Sequence, residues 1–171
     1  MILIPKLKNI IELGGTLQII HTDINGKLIE ERMYSNIVTT VGKNWIAQRM
    51  NATGVSANAE MSHMAIGGNS TLGTTITVPT TDVSNTVLTN LTGIAELARV
   101  GLTTAGGVVS GAVVTYAATF GAGVGTGALY AAGIFNASGA GAGTMLCDTT
   151  FNVVNKAAND SIAITWTVTI Q

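Results

Sequence analysis

Two histidines, one cysteine and nine acidic residues are the side chains of this 171-residue chain that could carry acid–base, nucleophilic or metal chemistry. A metal site needs several ligands converging at fixed spacing. Neither His21 nor His63 has a second histidine, a cysteine or a carboxylate placed to complete such a set. Cys147 could act as a nucleophile with His63 as its base. Its surroundings, Met145-Leu-Cys-Asp-Thr149, read instead as an apolar strand, where cysteine behaves as a small buried hydrophobe. His63, lacking convergent partners, reads as a hydrogen-bonded structural residue. The acids Glu12, Asp23, Glu30, Glu31, Glu60, Asp82, Glu96, Asp148 and Asp160 are scattered. Glu96 and Arg99 share one predicted strand at odd spacing, so they are expected on opposite faces. Glu96 would then meet Arg99 or Lys156 of a neighbour across a sheet. No catalytic, metal-binding or cofactor-binding set follows from these residues.

Two glycine patterns resemble nucleotide-binding loops. Gly123-Val-Gly-Thr-Gly-Ala128 fits the dinucleotide pattern, with Asp148 downstream. That loop must open a helix whose N-terminus holds the pyrophosphate. Here the following residues run only to Phe135 before Asn136, with Gly133 interrupting, so a glycine-rich strand connection is expected. Gly68-Asn-Ser-Thr-Leu-Gly-Thr-Thr75 has P-loop glycine spacing but Thr74 where the phosphate-contacting lysine belongs. Met61 and Met64 read as gap-fillers in a core.

The elements that would have to position any site are strands. Thr16–Thr22 and 27–33 flank Asn25-Gly26, a pair that accepts positive φ cheaply, which predicts a hairpin. Residues 39–50 predict one helix, capped by Thr39 or Thr40, with Val41, Trp45, Ile46 and Arg49 near one face. It should plug one end of a β core with Trp45 as anchor. Residues 62–66 predict a short strand ended by Gly67-Gly68. A polar loop follows, roughly 67–92, in which Thr74-Thr-Ile-Thr-Val78 alternates like an edge strand. Further strands are expected at 94–102, 108–120, 128–135, 144–154 and 161–170. In the last, Ile162, Ile164, Trp166, Val168 and Ile170 alternate with Ala163, Thr165, Thr167 and Thr169. Residues 1–14 read as an extended N-terminal arm closed by Gly14-Gly15. The reading is mainly β: a single antiparallel sandwich or jelly-roll-like domain over 15–171, with one short helix near 40–50 and the arm.

Charged residues are only 10% and hydrophobic residues 47%, with a formal net charge of -1. This is not a disordered composition. It shows no basic patch for nucleic acid. So few charges favour association, and imply surface meant for burial against neighbours. A single cysteine allows no intramolecular disulfide. The start lacks a signal-peptide pattern, and stretches such as 111–118 are too short to span a bilayer. A chain made in the cytoplasm that stays soluble or joins a particle is expected, with no membrane partner.

The order of several segments resembles small bacteriophage virion structural proteins: the capsid decoration (cement) or tail-fibre-associated β-sandwich family. The resemblance lies in Ser35-Asn-Ile-Val-Thr-Thr-Val-Gly42, Met61-Ser-His-Met-Ala-Ile-Gly-Gly68 and Val114-Thr-Tyr-Ala-Ala-Thr-Phe120. It continues in Ala131-Ala-Gly-Ile-Phe-Asn-Ala137, Thr144-Met-Leu-Cys-Asp-Thr-Thr-Phe151 and Asp160-Ser-Ile-Ala-Ile-Thr-Trp-Thr-Val-Thr-Ile170. It implies a virion component, a homotrimer, partnered by itself and by the major capsid protein or other virion proteins, with no catalytic residues and no cofactor. A decoration protein that bridges capsid subunits is the first expectation. A tail, baseplate or fibre component, with host contact, is the alternative, and few aromatics in loops argue against a sugar site. The expected contacts are Ile2, Leu3, Ile4, Leu7, Ile10 and Ile11 of the arm and Leu72, Ile76 and Val78 of the loop.

Overall fold

The computed structural model describes residues 12–50 and 59–170. Among them, β1 (Leu13–Thr22), β2 (Leu28–Ser35), β10 (Ser161–Ile170), β7 (Val113–Phe120) and β6 (Val108–Ser110) form one antiparallel sheet, ordered β2-β1-β10-β7-β6. The second, ordered β3-β9-β8-β4-β5, contains β3 (Ile37–Val38), β9 (Met145–Lys156), β8 (Gly127–Phe135), β4 (His63–Asn69) and β5 (Ala95–Gly101). We call these sheet A and sheet B. The mainly β, two-sheet sandwich with one helix, α1 (Thr40–Met50), matches the architecture expected from the sequence.

Period-two alternation builds the core. Leu17 and Ile19 of β1, Tyr116, Ala118 and Phe120 of β7, and Ile162, Ile164, Trp166 and Val168 of β10 face sheet B from sheet A. Met64, Ile66, Ile134, Leu146 and Cys147 meet them from the other side. Sheet B has a second apolar face. There Leu88, Leu91 and Ile94 of the 69–94 segment pack on Ala65, Tyr130, Phe135 and Met145. All nine residues of β8 are therefore buried. Among the described residues, sheet B is covered on both faces, and sheet A on one.

Several local expectations change. The hairpin forms, but Gly26 alone takes positive φ (76°), and Asp23 Oδ1 accepts the backbone N–H of Asn25 (2.8 Å) and Lys27 (2.9 Å). The connection between the strands is a five-residue Asp-anchored loop, residues 23–27. Gly14 and Gly15 lie inside β1, which starts at Leu13, so they do not close the arm. A Cβ on Gly15 would meet the Thr167 carbonyl oxygen at 1.9 Å. Gly67 and Gly68 likewise continue β4, because a Cβ on Gly68 would meet the Ala128 carbonyl oxygen at 2.0 Å. Residues 108–120 fold as a hairpin, β6 to β7, turning at Gly111 (φ 58°). Thr74–Val78 is not a strand. The Tyr130 hydroxyl holds this stretch, donating to the Thr74 carbonyl (2.5 Å) and accepting from the Ile76 N–H (3.2 Å).

Thr39 caps α1, its Oγ1 accepting the Gly42 N–H at 3.0 Å. Gly42 is the one buried helix residue, with its backbone laid against Leu146. Trp45 and Ile46 are half-buried against the main core, and Trp45 Nε1 donates to the Ala59 carbonyl (3.0 Å). The helix covers one end of the sandwich rather than filling it.

Candidate functional site

The candidate dyad does not assemble. Met64, Ile134 and Cys147 align across β4, β8 and β9 and all face the main core. His63, one residue earlier, pairs with Phe135 and so belongs to the opposite face of sheet B. Its Nδ1 lies 2.8 Å from Ser62 Oγ. Burial, then the neighbouring Asp148 charge, pushes the Cys147 thiol well up, away from the thiolate that nucleophilic chemistry needs. Among the described residues no group of three His, Cys, Asp or Glu side chains could hold a metal ion. Gly123–Ala128 leads into β8 and not into a helix.

Polar residues instead tie elements together. His21, buried at the end of the β1 core row, places Nε2 2.9 Å from Asp160 Oδ2 and Nδ1 3.4 Å from Glu30 Oε1. Arg32 pairs with the same Glu30 and donates to the Asn152 carbonyl (2.8 Å), joining the β2 edge to sheet B. Burial works against ionisation of Asp160, but hydrogen bonds from His21 and the Ala157 N–H hold its carboxyl below the usual range. Buried Lys156 donates to the Gly121 carbonyl (2.9 Å) and is pushed down by desolvation.

Glu96 and Arg99 overturn the alternation argument. A β-bulge between Ile66 and Gly67 pairs Ala98 with Ile66 but Glu96 with Gly67, leaving Leu97 without a cross-strand partner. The extra residue brings Glu96 and Arg99 to one face. Their ion pair is bidentate, at 2.8 and 2.9 Å. Arg99 also lies 3.7 Å over the Phe135 ring and donates to the carbonyls of Ala137 and Ala142, clamping the β8–β9 loop.

On the same face of sheet B, Asp148 fastens the 69–94 segment. Its Oδ2 accepts from Asn85 Nδ2 (2.9 Å), while its Oδ1 is buried without a partner. Desolvation dominates, and the carboxyl is pushed up to about 6 from 3.8. The native state therefore favours the protonated acid. Its contribution to stability is full below 3.8 and is lost as pH rises through about 6. Asp148→Asn is expected to stabilise the protein by about 1–2 kcal/mol above that window, after allowing for the amide N–H left unpaired. The gain should vanish below pH 3.8. Urea midpoints across this range check both the sign and the window.

The surface suited to contact is the outer face of sheet A. Registers align Ser35, Thr16, Thr167, Thr115 and Val108 in one row across all five strands. Met33, Gln18, Thr165 and Ala117 form the next, then Glu31, Ile20, Ala163 and Thr119. Thr16 and Thr167 link their hydroxyls at 2.9 Å, and Gln18 Nε2 donates to Glu31 at 2.6 Å. Glu31 is the one charge in these rows. Met33 (64% exposed), Ile29 (51%) and Val108 (58%) stand open at its margins. The loop contributes less than expected: Ile76 and Val78 pack on the second core, and Leu72 remains exposed. Ile2, Leu3, Ile4, Leu7, Ile10 and Ile11 lie outside the described residues. The threonines of β10 were visible in the alternation. That their face is the uncovered one depends on which sheet the 69–94 segment packs against. No protein-family model, curated protein or solved structure matches the chain.

Proposed function

We propose that the protein is a non-enzymatic structural component of a bacteriophage particle, a decoration protein that stabilises the shell by binding copies of itself and the capsid. One observation carries this reading. The outer face of sheet A is poor in charge and rich in threonine, while its counterpart on sheet B is already covered. Five strands at ~4.8 Å spacing and about eight residues at ~3.3 Å give a face of roughly 600 Å2. That approaches the ~800 Å2 each partner contributes to a standard interface. Threonine hydroxyls can find partners across such a contact, and few charges need desolvation there.

The mechanism is binding energy alone. A subunit that binds the mature shell and not its ruptured form stabilises the former by mass action. Support for a non-enzymatic role comes from His63 and Cys147 lying on opposite faces of sheet B.

Quantifying the chain against the major shell protein in purified particles tests the proposal. Hundreds of copies per particle are expected. Tens or fewer would transfer it to the tail, and absence from particles would end the reading.

A further inference from the structure

One end of the sandwich holds a cavity of about 280 Å3 between α1 and the inner side of sheet A. Trp45 and Ile46 of α1 form one wall, Val114 of β7 and Val168 of β10 form the other, and Leu146 of β9 joins them. Met50 and Ile170 stand exposed at the rim, whereas Val168 and Leu146 are buried, so the cavity opens to water at one end. Such walls favour hydrocarbon taken out of water. A cavity of ~150 Å3 accepts a benzene ring; on that scale this one takes about eleven non-hydrogen atoms.

Two polar groups interrupt this lining. Arg49 lies over the Trp45 ring at 5.2 Å and is the one charged side chain there. Among the described residues no acid pairs with it, so its N–H donors are open to an incoming acceptor. Tyr116 is 4% exposed, and its hydroxyl has no hydrogen-bond partner among the described residues. Tyr34 and Tyr130, by contrast, both have partners for theirs. A buried tyrosine hydroxyl ordinarily finds one. Burial pushes the Tyr116 hydroxyl up to about 12, with the Arg49 charge opposing the shift, so at neutral pH it remains a donor. One cation and one O–H donor therefore border an apolar slot whose lining contains no acid, histidine or cysteine.

We infer that this cavity binds a linear aliphatic monocarboxylate of about eight carbons, its carboxylate accepting from Arg49 and the Tyr116 hydroxyl and its chain lying against Trp45, Leu146, Val114 and Val168. A guanidinium–carboxylate bond is charge-assisted and matches the fork of Arg49. An alkane or alcohol would leave that charge unanswered, and a dicarboxylate would bring a second charge into the apolar slot without a partner. Octanoate, with about ten non-hydrogen atoms, fills the volume; longer chains leave their ends in water. The assignment needs neither a shell nor a second copy of the chain and stands apart from the particle reading.

Calorimetric titration of the full-length protein with straight-chain alkanoates tests it, with one molecule bound per chain expected. Affinity should rise about fourfold per methylene from butanoate to octanoate, and level off beyond decanoate as the cavity fills. Octanol should bind at least about tenfold more weakly than octanoate. Arg49→Gln, at an exposed helix position, should weaken octanoate at least about tenfold and leave octanol within about twofold. Tyr116→Phe should cost octanoate about tenfold; if that variant fails to fold, the Arg49→Gln comparison decides. The methyl resonances of Ile46, Val114 and Val168 should shift on binding. No saturable binding at millimolar octanoate, octanol bound as tightly, unchanged affinity in Arg49→Gln, or shifts confined to the outer face of sheet A would each overturn the assignment.

Discussion

Replacing Arg99 by alanine is expected to cost the fold about 3–5 kcal/mol, the range seen when one partner of a buried ion pair is removed. The side chains of Arg99 and Glu96 are 3% and 6% exposed, so Glu96 would be left as a buried charge without its guanidinium. The same truncation removes the stack on Phe135 and the two donors that hold the carbonyls of Ala137 and Ala142. The melting temperature should fall by roughly 6–20 °C for a chain of this size. The double replacement Glu96→Gln with Arg99→Met should recover much of the loss, because it removes the orphaned charge while keeping apolar volume over the ring. Denaturant midpoints of the two variants check this. A single variant that loses less than about 1 kcal/mol would show that the pair is exposed to water in solution.

The second large effect concerns association rather than folding. Placing charges on the open face, Thr165→Glu at its centre together with Met33→Glu at its β2 edge, should change the stability of the free subunit by less than about 1 kcal/mol, since both side chains point to solvent. Buried in an interface, the same carboxylates cost several kcal/mol each without partners. Affinity for shells or for other copies should drop at least about 100-fold, as 1.4 kcal/mol corresponds to tenfold. Co-sedimentation with shells lacking the protein measures it. Leu72→Glu, a charge at an exposed position on the loop, serves as control and should bind normally.

Local pattern made the strands legible and long-range covering hid the rest. The alternation of Ile162 to Ile170 fixed which side of β10 is inside, and β10 pairs with both β1 and β7 as its central place requires. Ala128-Leu-Tyr-Ala-Ala-Gly-Ile-Phe135 carried a signal that could have been used further. An unbroken apolar strand implies cover on both faces, which is what the 69–94 segment supplies. Glycine misled twice, at Gly15 and Gly68, because a strand glycine that yields to a neighbouring carbonyl looks the same in sequence as one that ends a strand. The bulge at Leu97 was equally silent. One extra residue moves Glu96 and Arg99 onto one face, and only the pairing with β4 reveals it. Thr74–Val78 alternates as a strand should, yet the Tyr130 hydroxyl takes the place of a neighbouring strand.

Oxidative footprinting of Met33 in free and particle-bound protein tests the central claim most directly. Met33 is 64% exposed in the free subunit and sits in the middle rows of the sheet A face. Strong protection on binding is expected, with the loop residues Leu72 and Val83 modified equally in both states. Met33 oxidised as fast on the particle as in solution, with Leu72 and Val83 protected instead, would place the contact on the other side of the molecule and contradict the account.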